Sequence, residues 1–183
     1  MIERSIDEAC VTSTERAVLK ARAYLEQHGL NQPLEAALWA AVAGLELKAL
    51  ADCEHALRSN GVLNAVGFNH PLFREVPVSA LSAASKRELA TRAVAWLEQD
   101  HPARAIAFLA DVEYPHPRAF ALLERARVAL NAQGNHTLAR DCLVRSVNYA
   151  PLKQRPSLTS QAARQLLDAG DARVAALLEP IIA

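Results

Sequence analysis

Apolar positions along this chain recur at helical spacing almost throughout, and no window alternates apolar and polar residues for long. Helix punctuation supports the same reading. Thr12 precedes Glu15 at capping-box spacing, and Ala17, Lys20, Ala21 and Tyr24 follow with helical periodicity until Gly29. Pro33 suits a first helical turn and opens a run from Leu34 towards Ser59, with a break at Gly44 and a stop at Asn60-Gly61. Residues 60–84 are the least regular, punctuated by Gly67, Pro71 and Pro77. Ser85 and Glu88 form a second capping box ahead of a helix to about Gln99. Pro102 starts another that ends near Glu113, Pro117 a third that runs to Gly134, and Asn135 caps a fourth that closes before Pro151. Two more run from Ser157 to Ala169 and from Asp171 onward. Such short helices need tertiary packing to persist, and their short links make neighbours antiparallel.

The text also repeats. The series Leu123, Ala126-Arg127, Leu130, Ala139, Leu143, Pro151 returns 34 residues earlier as Leu89, Arg92-Ala93, Trp96, Ala105, Leu109, Pro117. A shift of 36 in the other direction gives Thr159, Ala162-Ala163, Leu166, Gly170-Asp171 and Ala175. Over residues 85–183 the chain resembles the tetratricopeptide repeat (TPR) family, whose helix hairpins carry a Leu-small pair, an aromatic, a Gly turn, an Ala and a closing Pro. Arg127, Ser146 and Glu179 depart from that pattern. A fainter echo, Tyr24-Leu25-Glu26-Gln27 against Trp96-Leu97-Glu98-Gln99, extends it upstream. The resemblance implies an all-α superhelix of about four or five helix-turn-helix hairpins. Residues 1–84 would form a helical region with degenerate repeats, and residues 85–183 three clear hairpins. Small residues such as Ala93, Ala139 and Ala175 would sit where paired helices approach closely.

Composition narrows the function. Ala and Leu dominate, and twenty basic residues balance twenty acidic ones, so no global charge draws the chain to nucleic acid or membrane. The segment 114–164 is locally basic, with eight Lys/Arg against Glu124 and Asp141. The polar N-terminus is not a secretory signal, and no run reaches the roughly 18 apolar residues of a membrane span. Three scattered cysteines, an odd number, point to reduced thiols and a cytoplasmic setting.

The six histidines do not gather at metal-ligand spacing; His28, His101 and His136 fall in separate interhelical turns, and Cys53-x-His55 points to two helix faces. No phosphate loop, nucleophile elbow or zinc-protease motif is present. A non-enzymatic protein-binding module, needing no cofactor or metal, is the expectation: an adaptor, assembly factor or secretion-type chaperone that takes a peptide or helix in a concave groove. Carried over by register, the resemblance places Arg87, Ala90, Val94 and Leu97, then Ala121, Glu124, Val128 and Asn131, then Ser160 and Arg164 on that groove. The family's clamp for a C-terminal carboxylate is not recognisable. Two alternatives stand beside this reading: a nucleic-acid-associated repeat using Arg118–Arg164, and a structural subunit of a larger complex such as the repeat subunits of the anaphase-promoting complex.

Overall fold

The computed structural model describes residues 12–30, 35–112 and 116–182. Cys10, Pro33 and Glu113 lie outside those residues, so the expectations placed on them do too. Among the described residues the fold is all-helical, with an isolated bridge between Leu63 and Phe68 and no strand. Two compact units divide it. The first holds the described residues up to Leu97 together with Ala110–Val112, and the second holds Glu98–Leu109 and the described residues from 116 onward.

In the first unit, α1 (Ser13–Gln27) opens on the expected capping box: Thr12 Oγ1 accepts from Glu15 N–H at 3.1 Å, and Glu15 Oε2 accepts from Thr12 N–H at 3.2 Å. Four partners pack on α1: α2 (Ala36–Ala43), α3 (Leu47–Ser59), α4 (Pro71–Ser79) and α5 (Ala83–Leu97). So many neighbours bury Val18, Leu19 and the run Ala21 through Leu25. Arg22 is caught in that run and is only 3% exposed. Its Nε donates to Glu26 Oε1 at 3.0 Å, and its guanidinium lies 4.8 Å from the Trp39 ring centroid and 5.7 Å from that of Phe68. An acid and two ring faces offset part of the loss of water around this charge, while its Nη2 is buried with no hydrogen-bond partner among the described residues.

The break expected at Gly44 is there. Gly44 ends α2 in the left-handed region (φ +74°), and Arg92 Nη1, arriving from α5, donates to the nearby Val42 carbonyl at 3.2 Å. A Cβ on Gly44 would stand 2.9 Å from that Nη1, so position 44 is doubly suited to glycine. Helix α4 was not expected between Pro71 and Pro77. His70 Nδ1 caps it by accepting from Leu72 N–H at 3.2 Å, Pro71 occupies the first turn, and Pro77 falls only two residues before the end. The start of α5 also differs from expectation. Ser82, not Ser85, is the cap: its Oγ accepts from Ser85 N–H at 3.1 Å, while Glu88 instead pairs with Arg92 at 2.6 Å.

The second unit is simpler, because each helix packs on its neighbour in sequence. It begins with α6 (Pro102–Ala105) and a 3-10 turn (Ile106–Phe108), much shorter than the helix expected to run to Glu113. The shortening has a visible cause: Asp111 is held in the first unit by Tyr24 Oη, which donates to its Oδ2 at 2.6 Å. Then come α7 (His116–Ala132), α8 (His136–Tyr149), α9 (Arg155–Asp168) and α10 (Arg173–Ile182). Gly134 (φ +74°) turns the chain between α7 and α8. Asn135 N–H donates to Leu130 O at 2.9 Å, and the Asn135 side chain accepts from Leu138 N–H at 3.3 Å, the cap its position implied.

Across this hairpin α7 buries Ala119, Leu122, Leu123, Ala126 and Leu130, and α8 buries Ala139, Cys142, Leu143 and Ser146. Ser146 is tolerated because its hydroxyl donates to Leu143 O at 2.8 Å. Helix α9 begins at Arg155 with Pro156 in its first turn, ahead of the expected Ser157. Asp171 accepts from Arg173 N–H at 3.0 Å and so caps α10. Ala175, expected at a close helix approach, is instead exposed. Val174, Leu177 and Leu178, at i, i+3 and i+4, are the half-buried residues of that helix.

Candidate functional site

Helix α7 has two contrasting faces. Its buried stripe runs Ala119, Leu122, Leu123, Ala126, Leu130. Between those positions, at spacings of three or four, Ala121, Arg125, Val128 and Asn131 are exposed and Glu124 is half-buried. Val128 is 62% exposed, a large apolar side chain turned to solvent beside Glu124 and Arg125. Around it lies an open depression of about 510 Å³, lined by Gln99, Asp100, Pro102, Glu124, Arg125 and Val128. A second depression of about 490 Å³ shares Gln99, Asp100 and Arg125 and continues to Arg118 and Ala121. The two adjoin along α7, and together their lining residues run from Arg118 to Val128.

Charges in this groove are largely matched. Arg118 pairs with Glu98, Arg127 donates to Glu124 Oε2 at 2.7 Å, and Arg125 Nη2 donates to Gln99 O at 2.7 Å. Asp100 is exposed and makes no ion pair among the described residues. Further along the chain, Asn131 lines a third depression of about 380 Å³ with His136, Arg140, Gln165 and Asp168. There His136 Nδ1 lies 3.2 Å from Asn131 Oδ1.

Of the residues expected on a binding groove, the structure thus brings Glu124 and Val128 to one depression, Ala121 to the adjoining one and Asn131 to a third. Ser160 and Arg164 are exposed on α9 and line none of these, and Arg87 is exposed on α5 in the first unit. Ala90, Val94 and Leu97 require correction. All three have no accessible surface, because α5 turns that face onto α2 and α1, and they serve the core of the first unit. Repeat register alone could not show which helix face another helix would cover. Asp100, Pro102 and Arg125 were missed; in the sequence Pro102 marks a helix start and Arg125 a basic stretch, with no signal that brings them together. Leu152 and Leu167, 78% and 62% exposed, were missed as well.

The basic stretch is mostly used inside the molecule. Besides Arg118, Arg125 and Arg127, Arg145 donates to Ile106 O at 3.3 Å, and Arg155 donates to Ala150 O at 3.0 Å and Asn148 O at 3.3 Å. These guanidiniums tie together consecutive turns of the second unit. Arg173 does similar work at its other end, 2.8 Å from Asp141 Oδ1 and 2.6 Å from Asp171 Oδ2. The hydrogen bond from the Arg173 side chain, with that from its backbone, holds the Asp171 carboxyl down to about 2.

Two further clusters bear on chemistry. Tyr24, fully buried, shares Asp111 Oδ2 with His28, whose Nε2 lies 3.2 Å from the same oxygen and whose ring sits 4.6 Å from that of Tyr24. Burial first, then the hydrogen bond to Asp111 and its charge, pushes the Tyr24 phenol far up, so the proton stays on tyrosine at neutral pH. The cluster fastens Ala110–Val112 to α1. The Cys142 thiol, between α7 and α8, is pushed up to about 11 by burial and is a poor nucleophile there. Among the described residues no three His, Cys, Asp or Glu side chains gather where they could hold a metal ion, and no helix is long and apolar enough to cross a membrane. No family model, curated protein or solved structure matches this chain.

Proposed function

We propose that this protein is a TPR-like interaction module that binds another protein through the exposed face of α7, acting as an adaptor, assembly factor or chaperone rather than as an enzyme. The observation that carries the reading is Val128: an apolar side chain 62% exposed that lines a depression with Pro102 and Ala129, beside the polar Gln99, Asp100, Glu124 and Arg125. An apolar anchor point inside a polar rim is the anatomy of a protein-binding surface. The sequential packing of α6 through α10, with Gly134 at the hairpin turn and Ala139 buried against α7, supports the TPR-like repeat. Protein is favoured over nucleic acid as partner because five of the eight basic side chains between 114 and 164 are occupied by internal acids and carbonyls.

Affinity capture from the native source, with wild type beside Val128→Asp, tests this. The variant should melt almost with wild type, since surface changes usually stay within about 0.5 kcal/mol, yet lose the protein that wild type retains. An unchanged retained set overturns the reading. Retained material that absorbs at 260 nm and leaves with salt would replace protein by nucleic acid.

A further inference from the structure

Resting on the reading of the α7 face as a docking surface, the groove itself specifies what should lie in it. It is apolar at one end, where Pro102, Val128 and Ala129 line it, and chiefly polar at the other, and it carries two opposed charges. Two ion pairs beside it are already made, Glu98 with Arg118 and Glu124 with Arg127. Asp100 and Arg125 line both depressions and are left over. Asp100 has no basic partner among the described residues, and Arg125 gives one N–H to Gln99 O, which leaves other guanidinium donors for a ligand.

No strand edge lies in the groove among the described residues. An extended peptide docked there would find few backbone groups to pair with its own, whereas a helix brings its backbone already satisfied. The stretch of α7 from Arg118 to Val128 spans roughly 15 Å at 1.5 Å per residue, the length of about three helical turns. We propose that the α7 groove takes an amphipathic helix of a partner protein, its aliphatic ridge over Val128 and Pro102, with a Lys or Arg flanking the ridge to meet Asp100 and a Glu or Asp to meet Arg125.

Four synthetic helical peptides with one leucine ridge test it, their flanks being Lys/Glu, Lys/Lys, Glu/Glu and Gln/Gln. Binding is read by fluorescence anisotropy at low salt. Wild type should prefer the Lys/Glu peptide over Gln/Gln by up to about fivefold per matched pair, the usual reach of exposed ion pairs. Asp100→Lys, at a residue with no internal ion pair, should shift the preference to Glu/Glu, and Arg125→Glu, checked by its melt because it breaks the tie to Gln99, should shift it to Lys/Lys. Equal affinity of wild type for all four peptides, or no shift in Asp100→Lys, overturns the proposal. So does the absence of binding to any of them. In those cases the broader reading is judged separately by Val128→Asp capture: if that still removes the native partner, the docking surface stands and only the occupant is wrong.

Discussion

The two units of this chain solve the same problem, burying the apolar stripes of short helices, in opposite ways. In the second unit every helix leans on its neighbour in sequence, so the contacts are local, and the α7–α8 hairpin buries small residues on both helices, Ala126 on one and Ala139 and Cys142 on the other. In the first, α1 is wrapped by four helices, α4 returns to α1 and α5 returns to α2 across long stretches of chain. Wrapping leaves α1 little solvent face, and a charged side chain is enclosed as a result. Local pairing leaves α7 a free face, and that face carries the groove. A helix surrounded on all sides supplies stability, whereas one packed on a single side keeps a surface to offer.

The sharpest way to break this comparison is at Arg22. Arg22→Ala would strand the half-buried Glu26 carboxylate in the first unit, at a cost of about 3 kcal/mol or more. Denaturant unfolding followed by tryptophan fluorescence reports it directly, because Trp39 and Trp96 both belong to the first unit. Combining Arg22→Met with Glu26→Leu should recover most of the loss, and failure to recover would mean that the charge itself specifies the packing. Ala139→Leu probes the second unit. A larger side chain at a position 3% exposed should overpack the α7–α8 seam by roughly 1–3 kcal/mol, read by far-ultraviolet circular dichroism and by faster labelling of Cys142. An unchanged melt would refute the register that buries Ala139. Smaller again is Tyr24→Phe, which removes the buried hydroxyl donated to Asp111 and should cost about 1.5 kcal/mol, hydrogen bonds to charged groups being the stronger kind. In wild type the raised phenol keeps its proton, so stability should be level through neutral pH and fall as pH climbs past the unfolded tyrosine value near 10. Tyr24→Phe should flatten that alkaline slope. A slope unchanged in the variant would place its origin elsewhere.

Where the sequence was legible, the determinants were near neighbours. The Thr12 box, the Asn135 and Asp171 caps, and the breaks at Gly44 and Gly61 each depend on residues within one turn, and each is found. Errors arose where a distant group decided. Glu88 is drawn to Arg92, which itself reaches over Gly44 to Val42, so the cap moved to Ser82. The helix from Pro102 stops early because Asp111 answers to Tyr24, 87 residues away. Ala90, Val94 and Leu97 carry the same spacing as exposed α7 positions, yet another helix covers them; periodicity marks faces and does not say which face is covered. Glu124 and Val128 do line one depression, for the converse reason: they lie on a helix whose packing is local. Asp100 and Pro102, in the preceding turn, join them only through the fold.

Asp111 has one more consequence, for how this chain can be divided. The polypeptide leaves the first unit at Leu97, builds α6 in the second, comes back for Ala110–Val112, and leaves again. No single cut therefore separates the units cleanly. Division after Leu97 takes from the first unit the acceptor of the Tyr24 hydroxyl, and division after Val112 takes from the second the α6 that packs on α7, together with Asp100 and Pro102. A truncation at any one point between Leu97 and Val112 is therefore expected to deprive at least one unit of a segment that belongs to it.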